Sequence, residues 1–125
     1  MKLPSGAELE ITLSPFPVSK ALYQTILEET KGIELSSKME MFTVFRELFL
    51  TSMCSPRIEK CLWECMKRVT YNGLRITEDT FEPEEAREDY PIVCLEVAHK
   101  NVAPFLKNLS AQYSTLLEKL GGIQG

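Results

Sequence analysis

The stretch "VTYNGLRIT", residues 69–77, separates a cysteine-bearing helical segment from a strongly acidic one. We interpret the Asn-Gly dipeptide at 72–73 as the stop signal of the preceding helix, because glycine readily adopts the left-handed conformation found just past a helix C-terminus. The four residues "LRIT" at 74–77 are predicted to form a short extended piece. The interpretation of this stretch therefore makes the chain mainly helical.

The helix before this stretch has a clear start. Ser55 is a good N-cap and Pro56 suits the first helical position. On a helical wheel the apolar residues fall within an arc of about 140°. They are Ile58, Cys61, Leu62, Cys65, Met66 and Val69.

The cysteines at 61 and 65 are predicted to be small core hydrophobes, since both lie on this apolar face. A zinc site needs four nitrogen or sulfur ligands in register, and Cys54, Cys94 and His99 show no such spacing. A C-x-x-C redox motif is also missing from the sequence. No metal or cofactor is expected.

The only tryptophan, Trp63, lies about 120° from the centre of the apolar face, among charged residues. Two interpretations remain open. Another element covers the indole, as is usual for a large aromatic residue, or Trp63 is an exposed anchor for a partner.

The N-terminal residues 1–13 are predicted to form a strand or short hairpin. Leu9, Ile11 and Leu13 alternate with polar residues, and "PSG" at 4–6 is a turn signal. A helix should follow from Val18 to Thr30, with one face made of Val18, Ala21, Leu22 and Ile26.

A second helix is predicted over residues 38–53, and its apolar face covers about half of the wheel, which is wider than a surface helix needs. Such a face fits a central helix or one that also meets a partner. The candidates for a partner or oligomer interface are Met41, Val44, Phe45, Leu48 and Trp63.

The last third combines an acidic connector with a long helix. Residues 78–89 carry seven acids and one base, so this segment has a net charge of −6 and the rest of the chain about +2. A helix is predicted over 91–120, with a kink or break near 100–103 caused by Pro104, and a flexible tail over 121–125.

A heptad pattern runs along this last helix, in which seven of eight positions are apolar and His99 is the exception. The positions are Leu95, His99, Val102, Leu106, Leu109, Tyr113, Leu116 and Leu120. This seam packs within the domain or is shared with another copy or a partner helix.

The whole chain is expected to form one domain, a mainly α bundle of four to five helices with the N-terminal hairpin or strand. It has 125 residues, 44% of them hydrophobic and 26% charged, as globular domains do. The net charge of −4 disfavours binding to nucleic acid or an anionic membrane, and a membrane span or signal peptide is not expected. The cysteines are therefore predicted to stay reduced in a cytoplasm.

An enzyme is not expected. With one histidine, a catalytic triad has a single possible base. The phosphate-binding motifs G-x-x-x-x-G-K-[ST] and G-x-G-x-x-G do not occur in the sequence.

Four stretches together resemble the tail assembly chaperones encoded in tail modules of phages and prophages of Gram-positive bacteria. They are "MKLPSGAELEITLSPFPVSKALYQTILEE", "LWECMKRVTYNGLRIT", "FEPEEAREDY" and "AQYSTLLEKL". The resemblance implies a helical protein of the host cytoplasm, absent from the mature virion, that binds the tape measure protein during assembly. It also implies the tail tube protein as a second candidate partner, and it carries over no individual site residue.

The residues themselves fit a stoichiometric, ATP-independent binder that forms homo-oligomers. Two other functions remain open: a tail or head-tail component that stays in the particle, and a regulatory or inhibitor protein that binds a host enzyme.

Overall fold

The chain combines helices with a small antiparallel sheet. A computed structural model describes the backbone of residues 1–29, 49 and 55–124 and the side chains up to Phe105. The helices are α1 (Phe16–Glu29), α2 (Pro56–Met66) and α3 (Glu84–Gln124); the strands are β1 (Leu9–Ile11), β2 (Val69–Tyr71) and β3 (Leu74–Arg75); and a 3-10 turn, η1, spans Glu78–Phe81. The predicted bundle of four to five helices was wrong: the described residues form a small α+β fold.

The error lies in residues 69–73, whereas the extended piece predicted over 74–77 is confirmed at Leu74–Arg75. Helix α2 ends at Met66, and β2 pairs antiparallel with β1 on one side and β3 on the other. Asn72 and Gly73 form the two-residue turn between β2 and β3, with φ of 53° and 80°. An Asn-Gly pair with positive φ at both residues suits a tight hairpin as well as a helix end. The β-branched and aromatic residues of β2 favour the strand.

The outer edge of β1 is covered by residues 1–7, which we call the N-terminal strap. Lys2 and Glu8 form an antiparallel bridge. The backbone N–H of Leu9 donates to the carbonyl of Met1 and the Met1 nitrogen donates to the carbonyl of Leu9, both at 2.8 Å. The strap thus takes up hydrogen-bonding groups that an edge strand would otherwise expose.

Among the described residues, the three helices and the sheet enclose a cluster of buried apolar side chains. Its fully buried members include Leu9, Leu22, Ile58, Met66, Val69, Val93 and Val97. Each such side chain stabilises the fold by roughly 1.5–3 kcal/mol. Helix α1 turns Ser19, Leu22, Thr25 and Ile26 inward, whereas Ala21, predicted for that face, is exposed.

Helix α3 is longer than the sequence predicted. It begins at Glu84, within the acidic segment, and continues through Pro91 and Pro104 to Gln124. The predicted start at Pro91 was wrong, and the helix has no break near 100–103, whereas a kink there stays a prediction. Carboxylates in the first turn are stabilised by the helix dipole, so an acidic run suits this start. The flexibility predicted for residues 121–125 stays a prediction.

The inward face of α3 differs from the predicted heptad seam. Val93, Val97, Ala98 and Asn101 are buried, and so is Val102 of the predicted seam, whereas Leu95 and His99 are only half-buried and flank that face. Alanine is only weakly hydrophobic and asparagine is polar, so neither residue marks the buried face in the sequence. The more hydrophobic Leu95 therefore displaced the start of the predicted seam from that face. The side chains of the seam beyond Phe105 lie outside the described residues.

Most of the predicted helix 38–53 also lies outside the described residues, including Met41, Val44, Phe45 and Leu48. Phe49 alone is described, and it is helical and fully buried. It lines a small cavity of about 150 Å³ together with Ile58, Leu62 and Cys94.

Candidate functional site

The described cysteines belong to the core. Cys65 and Cys94 are buried, Cys61 is half-buried against the same cluster, and all three are free thiols. Burial raises the pKa of the Cys65 thiol. Within the described ranges, a search for groups of three or more metal-binding side chains found none. Cys54 lies outside them.

Tyr90 and Cys94 lie four positions apart on α3, where burial affects the pKa of both. Burial raises the pKa of Cys94 to about 11. Burial, followed by the neighbouring Cys94, raises the pKa of Tyr90 to about 12. Both groups therefore keep their protons at neutral pH, which leaves the Cys94 thiol a poor nucleophile.

Trp63 lies in an aromatic cluster that we call the covered cluster: Trp63, Phe81 and Tyr90. The Trp63 ring centroid is 6.3 Å from that of Phe81, edge to face, and 6.4 Å from that of Tyr90. Phe81 and Tyr90 are 4.8 Å apart. Turn η1 and helix α3 thus cover part of the indole, as in the first interpretation of Trp63. Its role in partner binding stays a prediction.

A second aromatic group, which we call the apolar corner, lies where the segment after β1 crosses α3. It consists of Phe16, Tyr23 and Phe105. Tyr23 stacks on Phe105 at 4.9 Å, and Phe16 lies 5.9 Å from Phe105. Phe16 is 64% exposed, so much of this apolar surface faces water. Phe16 falls between the strand or hairpin predicted over residues 1–13 and the helix predicted from Val18, so this surface was not predicted.

The apolar corner is held in place by a buried amide. Asn101 is 1% exposed, and its Oδ1 accepts hydrogen bonds from the backbone N–H of Ser14 and the hydroxyl of Ser19, both at 2.9 Å. Its Nδ2 donates to the carbonyl of Val97 at 2.9 Å. One side chain of α3 thus fixes both the segment before α1 and the first turn of α1, which orients the exposed Phe16.

A buried carboxylate lies nearer the start of α3. Asp89 is 1% exposed and accepts hydrogen bonds from the backbone N–H and hydroxyl of Ser5 and, at 2.7 Å, from the hydroxyl of Tyr71. An open cleft of about 430 Å³ adjoins it, lined by residues that include Ser5, Tyr71, Thr80 and Glu85. The sequence reasoning assigned Asp89 to a solvated connector. The groups that donate hydrogen bonds to its carboxylate belong to Ser5 and Tyr71, which lie elsewhere in the chain.

The single histidine, His99, lies on α3. His99 is half-buried beside a cleft of about 230 Å³ whose other lining residues include Ile11, Glu96 and Lys100. It takes part in interactions with its surroundings.

Comparisons with known proteins do not assign a family. No protein-family model matches the chain, and searches of curated proteins and of solved structures gave no significant match. Among the described helices, none combines the length and apolar character that crossing a bilayer requires.

Proposed function

We propose that this protein is a phage tail assembly chaperone that acts without catalysis or ATP and binds an apolar helical segment of the tape measure protein. The tail tube protein is a second candidate client. In this proposal the chaperone works in the host cytoplasm, self-associates, and leaves before the virion is complete. The resemblance of the four sequence stretches is the first support.

The observation that carries the proposal is the apolar corner. Phe16 is 64% exposed, and its ring centroid lies 5.9 Å from that of Phe105 on α3. Beyond Phe105 the helix continues for 19 residues, to Gln124, a length of about 28 Å. The sequence of that part repeats leucines at heptad spacing. An exposed aromatic corner leading into such a helix suits a helical client.

The charge beside the corner favours one kind of client. The Lys20 ammonium lies 5.8 Å from the Phe16 ring centroid, at the border of the apolar surface. A client helix with acidic residues flanking its apolar stripe would complement this cation. Tape measure proteins are long, helical and apolar, so their exposed stripes need covering before the tube forms around them.

Co-expression with the tape measure protein, followed by co-purification, tests the proposal. Phe16→Asp should lower capture by about tenfold or more, because it places a charge in the centre of the apolar surface. The fold should persist, since aspartate is favourable in the first turn of a helix. Leu74→Asp is the matched control, because Leu74 is 74% exposed on β3, and it should capture the client like the wild type.

Equal capture of the tape measure protein by both variants would show that the apolar corner does not bind it. Failure of the wild type to capture the client, together with its presence in purified virions, would favour a structural tail component. Recovery of a host enzyme instead would favour an inhibitor.

A further inference from the structure

We infer that Asp89 is a latch that keeps the N-terminal strap closed over the outer edge of β1, and that opening the latch frees this edge for a second copy of the chain. The inference is independent of the proposed function. It rests on one buried carboxylate that joins three parts of the chain.

The latch connects α3 to the strap and to β2. Ser5 lies 84 positions before Asp89, and it donates to the carboxylate through both its hydroxyl and its backbone N–H, the latter at 3.4 Å. The hydroxyl of Tyr71 donates to the same oxygen as the Ser5 hydroxyl. A carboxylate that is 1% exposed is tolerated in the interior only while such donors satisfy it.

Ser5 connects the Asp89 carboxylate to the rest of the strap. Its hydroxyl oxygen also accepts a hydrogen bond from the backbone N–H of Ala7, at 3.3 Å. Leu3 and Ala7, on either side of the turn, are buried, whereas Ser5 itself is exposed. The exposed tip is therefore fastened to the interior by the Asp89 carboxylate.

The closed strap covers part of the edge of β1. The carbonyl of Ala7 accepts from the N–H of Leu3 at 2.8 Å, and both backbone groups of Leu9 bond to Met1. If the strap lifts, these groups and the buried side chain of Leu3 meet water. An uncovered edge with apolar side chains pairs readily with another strand, and the same edge of a second copy supplies one.

Amide hydrogen exchange on the full chain tests the latch. Asp89→Ala and the milder Ser5→Ala should speed exchange at the amides of Leu3 and Leu9 by about tenfold or more, with little change at Leu22 and Ile26 in α1. Glu88→Ala, an exposed acid beside Asp89 on the same helix, is the matched control and should leave the strap unchanged.

Native mass spectrometry of the same variants tests the second step. Open-strap variants should form assemblies larger than those of the wild type, whereas Glu88→Ala should not. Unchanged exchange at Leu3 and Leu9 in Ser5→Ala, or equal acceleration throughout the chain, would overturn the latch. Local opening without larger assemblies would overturn the role of the strap in guarding the edge.

Discussion

The covered cluster and the apolar corner contain the same kind of side chain in opposite environments. Both use an aromatic residue of α3, Tyr90 in one and Phe105 in the other, 15 positions apart. Trp63 in the covered cluster is half-buried, whereas Phe16 in the corner is 64% exposed. The difference comes from η1, which brings Phe81 over the indole. No described element does the same for Phe16.

This comparison separates aromatic residues that stabilise the fold from those available to a partner. From the sequence, Trp63 was the candidate anchor because it lies off the apolar face of its helix. The structure offers Phe16 as the more accessible aromatic side chain. For Trp63 and Phe16, exposure therefore depends on the neighbouring element as well as on the position of the residue on its own helix.

The largest expected effect is the difference between the two clusters in how much they contribute to the free energy of unfolding. Trp63→Ala should lower the free energy of unfolding by about 3 kcal/mol, because it removes a large ring packed against two others. Phe16→Ala should cost less than about 1 kcal/mol, because most of that ring is already in water. Urea unfolding followed by circular dichroism measures both. Equal losses of unfolding free energy would mean that both clusters stabilise the fold to the same extent.

A somewhat smaller effect is expected at the amide that orients the corner. Asn101→Ala should lower the free energy of unfolding by about 2 kcal/mol, because it leaves the buried N–H of Ser14 without its acceptor. It should also weaken client capture, since α1 loses its fixed position. Lys100→Ala, an exposed neighbour, is the control. Normal capture by a destabilised Asn101→Ala protein would show that the corner does not need this amide.

The smallest effect is a loss of stability in alkali that belongs to the covered cluster. The pKa of Tyr90 is raised to about 12 and that of Cys94 to about 11, so the folded state holds both protons more tightly than the unfolded chain. Their contribution is complete below the unfolded pKa of each group, and it is lost as the pH rises through the folded values. Unfolding free energy measured between pH 9 and pH 12 should fall less steeply in Tyr90→Phe than in the wild type. Parallel curves would contradict the burial of this hydroxyl.

Several features followed from the sequence because they depend on neighbours within one or two helical turns. The Ser55 side chain accepts from the N–H of Ile58 at the start of α2, as its N-cap role predicts. Cys65 lies on the buried face that the 3.6-residue period indicated. Leu9 is buried and Glu10 exposed within β1, as the alternation indicated.

The buried polar residues and the hairpin could not be predicted in this way. In the sequence, Asp89 is one of seven acids in residues 78–89, and Asn101 is a polar residue outside the heptad positions. Their partners, Ser5 and Ser14, lie 84 and 87 positions away. No local pattern identifies such pairs.

The sequence by itself determined the position of α1 to within a few residues, the start of α2, the strand character of β1 and the apolar environment of Cys65, since helical and strand periods are local properties of the chain. Only the tertiary structure decided that Asn72-Gly73 turns a hairpin, that Asp89 is buried, and that Phe16 is exposed while Trp63 is partly covered. Each of these depends on which distant element lies alongside. A hydrogen bond or a packed ring exists only when the fold brings both partners together.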